Sequence, residues 1–105
     1  MLRIYPVILQ LVVDLRPVLE QIERRDANLG RQARAALTSV PLNTKEASGS
    51  TKGTRRARYE SAHGSAREVS AVVDTAVALG YVEPIGPEAA QRLCHVICTL
   101  RKLAS

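Results

Sequence analysis

Apolar side chains recur along this chain at spacings of three and four, and nowhere in strand-like alternation. The first stripe is Ile4, Ile8, Leu11, Leu15, Val18 and Ile22, which predicts a helix over roughly 4–25. The second is Leu29, Ala33, Ala36, Val40, Asn43 and Ala47, over roughly 29–47. The third is Tyr59, Ala62, Ala66, Val69, Val73 and Ala76, over roughly 54–79. The fourth is Ala90, Leu93, Ile97, Leu100 and Ala104, over roughly 87–103. The breaks carry turn chemistry. Asp26 or Asn28 suits a cap for the second helix, Thr54 one for the third, Gly80 a helix end, and Pro87 a helix start. One all-α domain of four helices, 1–105, is expected.

Several residues break the pattern. Val7, Leu9, Val12 and Val13 make the first helix apolar on most sides, so Val7, Val12 and Val13 are expected at a subunit interface. Pro17 should kink or split that helix. Pro41 should bend the second by removing the partner of the Leu37 carbonyl, which Ser39 or Thr38 could re-satisfy. Gly64 costs about 1 kcal/mol against alanine inside a helix, so a close helix crossing is expected there.

Composition narrows the chemistry. The only aromatics are Tyr5, Tyr59 and Tyr81, so the core must be aliphatic. The net charge of +5 is uneven: residues 51–67 hold +4 of it, from Lys52, Arg55, Arg56, Arg58 and Arg67 against Glu60. Such a focused patch suits a polyanion, with Lys52, Arg55, Arg56 and Arg58 as the contacts. The alternative is a solvated connection that only keeps the protein in solution. With so few aromatics, RNA or DNA would be held by its phosphates rather than by stacked bases.

Cys94 and Cys98 form no disulfide framework, which points to the cytoplasm. They lie beside the fourth stripe and are expected to fill the core. With His95 and the distant His63 they make a poor metal set, so no metal or other cofactor is expected. The run from Ile4 to Leu15 is too short to span a bilayer and reads as a buried helix. Arg34, Asn43, Glu46, Ser65 and Glu68 could be taken for catalytic groups. The favoured reading is a structural polar network that pins the second helix to the third. No phosphate loop, nucleophile triad or dinucleotide fingerprint is present, and neither an enzyme nor a small-molecule substrate is expected.

Two ordered motifs carry a resemblance. The first is Leu29, Gln32, Arg34, Ala36, Ser39, Val40, Pro41, Asn43 and Glu46. The second is Ala62, Gly64, Ser65 and Glu68, followed by Leu79, Gly80 and Tyr81. Together they resemble the four-helix-bundle family of the 23S ribosomal RNA intervening sequence, over roughly residues 29–82. The chain departs from that pattern at Thr44, Lys45, Ala47, Ser61 and His63. The resemblance implies an antiparallel up-down four-helix bundle assembling as a ring-like homopentamer. It also implies kinship with the accessory variability protein of diversity-generating retroelements, whose basic pentameric barrel binds nucleic acid and a reverse transcriptase. Two functions remain open: a nucleic-acid-binding module, or an adaptor for a protein partner.

Overall fold

The computed structural model describes residues 2–105, which form four α-helices. They are α1 (Ile4–Arg25), α2 (Ala27–Ser48), α3 (Lys52–Ala78) and α4 (Pro87–Ala104). No strand occurs among the described residues. Each helix packs on its sequence neighbours, and α1 also packs on α4, so the four surround one core. The long axis of 42 Å matches the length of the longest helix, α3, at about 1.5 Å per residue.

The stripes largely become the core, with informative shifts. Ile8, Leu11, Leu15 and Ile22 of α1 are fully buried, as are Val40, Val96 and Leu100. Burial of each such side chain contributes roughly 1.5–3 kcal/mol. All six stripe residues of α3 are buried. Ala33, Ala36 and Ala47 on α2, with Ala62, Ala66 and Ala76 on α3, give these two helices small, fully covered inner faces. On α2 the buried polar position is Thr44, not Asn43, which is half-buried. One residue turns a helix by about 100°, enough to swing Asn43 to the flank and Thr44 to the centre. Thr44 satisfies itself by donating its hydroxyl to the Val40 carbonyl at 2.7 Å.

The same rotation corrects the cysteines. Cys94 and Cys98 are exposed rather than core fillers, because Leu93, Val96 and Leu100 take the inner face. Ala90 is also exposed. The apolar surplus of α1 is partly absorbed within the chain. Val7 and Val12 are half-buried and pack against the core, whereas Val13 (51% exposed) and Leu9 (43%) remain on the surface.

Neither proline splits its helix. Pro17 is exposed, so water can reach the carbonyl that its missing amide frees. Around Pro41 the expected repair of the Leu37 carbonyl is replaced by bonds to neighbouring carbonyls. Thr38 donates to Arg34 and Ala35, and Asn43 donates to Ser39.

The helix ends follow local chemistry with one exception. Asp26 caps α2, its Oδ1 accepting from the Leu29 amide at 3.0 Å. Gly80, at φ +76°, ends α3 in a left-handed turn: its amide bonds the Val77 carbonyl, and that of Tyr81 bonds Ala76. Pro87 opens α4. Thr54 is not a cap. Helix α3 starts earlier, at Lys52, after Thr51, and its N-terminus has no side-chain cap.

Candidate functional site

The close approach of two helices lies at Gly30, not Gly64. A methyl group on Gly30 would stand 2.5 Å from Cγ and 2.9 Å from Cα of Glu23. A methyl on Gly64 would meet nothing within 4 Å, because that glycine faces solvent. The glycine that a packing rule singled out in mid-helix is therefore an outer-face residue. The one that fits α1 against α2 stands near a helix start.

Gly30 anchors a locked corner. Glu23 of α1 accepts two hydrogen bonds from the Arg34 guanidinium of α2, both 2.8 Å. This pairing, chiefly its hydrogen bonds, holds the Glu23 carboxyl below the usual carboxylate range and raises Arg34. Tyr81 donates to Asp26 Oδ2 at 3.2 Å, with the Arg25 guanidinium 5.7 Å from its ring centre. Desolvation first, and that bond second, push the Tyr81 hydroxyl up. Arg92 of α4 bonds Asp14 of α1 and ties a further pair of helices.

The expected polar network forms in part. Ser65 donates to Ser39 Oγ at 2.8 Å, and Asn43 donates to the same oxygen at 2.9 Å. Arg58 reaches Asn43 Oδ1 at 3.5 Å and Glu46 at 4.0 Å. Arg34 is not a member, because Glu23 claims it. Glu68 is not one either: it is exposed and makes no hydrogen bond or ion pair among the described residues. Ser39 and Arg58 take their places. The sequence could not reveal Glu23 as the partner of Arg34, since the two lie on different helices.

The basic residues gather at the opposite end. Lys52, Arg55, Arg56 and Arg58 are exposed on the first two turns of α3. Arg56 donates to the Ala104 carbonyl at 3.2 Å, which brings the end of α4 alongside and places Arg101 and Lys102 nearby. Lys45, in the last turn of α2, lies 5.1 Å from the Tyr5 ring centre and joins the start of α1 to this end. The four expected contacts are unequally committed. Arg56 also pairs with Glu60 at 3.3 Å, and Arg58 joins the Ser39–Asn43 network. Among the described residues the Arg55 guanidinium bonds the Ser50 carbonyl alone, at 3.2 Å, and Lys52 makes no ion pair.

Cations in the first turn of α3 oppose its helix dipole, and no acid stands there to offset them. The same end carries the C-termini of α2 and α4, where Lys45, Arg101 and Lys102 do complement the dipoles. Chemically this surface can hold an anion. His63, half-buried on α3, is pushed down by desolvation first and then by Arg67 and Arg101. No group of three or more His, Cys, Asp or Glu that could hold a metal occurs among the described residues. No described helix is long and apolar enough to cross a membrane.

No protein-family model, no curated protein and no solved structure matches this chain.

Proposed function

We propose that this chain is a non-enzymatic, cytoplasmic binding module that holds nucleic acid by its phosphates. In this reading the helices run antiparallel, and copies associate into a ring-like homopentamer, as the resemblance to the intervening-sequence bundle family implies. The observation that carries the proposal is the basic end. Lys52 and Arg55 stand exposed on α3 with few or no internal partners, and Lys45, Arg56, Arg101 and Lys102 surround them. A concentration of like charge destabilises a free protein and is relieved by a polyanion. Surface apolar groups at Leu9, Val13 and Leu42 support self-association. A ring would repeat the basic end, so that weak contacts gain by multivalency.

An adaptor for a protein partner is the second reading. It is favoured by Arg56 and Arg58, which already serve the fold.

The deciding experiment is a titration of short duplex DNA across salt concentrations, with sedimentation of the same samples. Wild type should bind with little sequence preference and weaken steeply with salt. Lys52→Ala with Arg55→Ala should lower the log–log slope by roughly 0.9 for each phosphate no longer neutralised. The melting transition should move by no more than about 0.5 kcal/mol, as for other surface changes. An absence of binding at low salt hands the function to the adaptor reading. A monomer in sedimentation removes the ring.

A further inference from the structure

Between α1, α2 and α3, at the basic end, lies a cleft of about 460 Å³. That volume is within the range of small-molecule sites. Among the described residues its charged lining is Lys45 and Arg55, and no carboxylate lines it. Leu2 and the ring of Tyr5 form an apolar wall, against which the Lys45 ammonium rests. Tyr59, only 4% exposed, lines it as well.

Tyr59 makes the cleft more than a gap between cations. Its hydroxyl has no hydrogen-bond partner among the described residues, although buried polar groups are ordinarily paired. The hydroxyl is not sealed in either, since no fully enclosed side-chain oxygen or nitrogen lacks a partner among the described residues. Tyr59 is one of the residues that line the cleft. A largely buried tyrosine that lines the same cleft as two cations, with no acid among the described lining residues, suits a compact, strongly negative group.

We infer that this cleft takes a phosphomonoester: the terminal phosphate of a nucleic-acid strand, or that of a free nucleotide. A phosphomonoester carries close to two negative charges and three acceptor oxygens, whereas an internal phosphodiester carries one charge. A chain continuing on both sides of a phosphate also cannot enter a concave cleft end-on. The wall of Leu2 and Tyr5 gives the attached sugar and base an apolar surface. The strand-end form of this inference rests on the nucleic-acid reading above, with the exposed cations holding the rest of the strand.

The test compares one short RNA strand in three forms: 5′-phosphorylated, 3′-phosphorylated and unphosphorylated. Each is titrated by anisotropy into wild type, Tyr59→Phe and Lys45→Gln, and adenosine monophosphate is titrated separately. A phosphorylated strand should bind wild type about tenfold more tightly than the unphosphorylated one, the scale of one charge-assisted hydrogen bond. Tyr59→Phe should shrink that gap and leave the unphosphorylated strand unaffected, whereas Lys45→Gln, which also removes a cation of the basic end, should shrink the gap while weakening all three strands. Adenosine monophosphate binding that Tyr59→Phe weakens, with no preference among strands, assigns the cleft to free nucleotides. Equal binding of all three strands and no binding of the mononucleotide overturns the cleft but leaves the basic surface standing. Binding of the mononucleotide alone, with no strand bound, overturns the surface and keeps the cleft. A gap that persists undiminished in both variants places the phosphate elsewhere and overturns the assignment.

Discussion

Where α1 turns into α2, charged and polar groups are consumed by the fold: Glu23 holds Arg34 through two hydrogen bonds, and Asp26 both caps α2 and receives the Tyr81 hydroxyl. Where α2 turns into α3, Lys52 and Arg55 project from an uncapped helix start, and Tyr59 lines a cleft with no acid among its described residues. The contrast separates two uses of the same residue types. An arginine matched to a carboxylate at 2.8 Å fixes helix geometry, and one beside other cations stays available to an outside anion.

The most damaging change should be at the locked corner. Gly30→Leu must displace the backbone of Glu23, and overpacking of this kind costs roughly 1–3 kcal/mol or more. A thermal melt equal to wild type would show that α1 and α2 do not approach closely there. Asp26→Ala removes the cap of α2 and the acceptor of Tyr81 together. The cap alone is worth about 0.5–2 kcal/mol, and denaturant unfolding should show a loss at least at the lower end of that range.

The corner should also respond to pH. Glu23 is lowered in the fold, so its contribution is present above the ordinary carboxylate pKa and is lost as pH falls through the folded value. Tyr81 is raised, so its contribution is present below the ordinary tyrosine pKa and is lost as pH rises through the folded value. Arg34→Gln should flatten the acid limb only. An unchanged acid limb would show that the ion pair is not formed in solution.

The smallest effect has the opposite sign. Gly64 faces open space in mid-helix, so Gly64→Ala should stabilise by about 0.5–1 kcal/mol. Destabilisation would mean that the outer face of α3 is covered in the assembled protein, which would sharpen the comparison by adding an interface between the two ends.

Helix number and most core positions were legible in the sequence, because a stripe at spacings of three and four is a local property. A helix formed from it presents that face whatever it later packs against. Asp26, Gly80 and Pro87 were legible for the same reason: caps and left-handed turns involve only near neighbours. What a stripe leaves open is the rotation of each helix. Packing against neighbours decided that Thr44 rather than Asn43 sits at the centre, and that Cys94 and Cys98 face water. Which glycine meets a neighbour depends on where another helix passes, and that selected Gly30 over Gly64. The cleft lay furthest from view. It is assembled from Tyr5, Lys45, Arg55 and Tyr59, drawn from three helices, and their proximity exists only once those helices have packed.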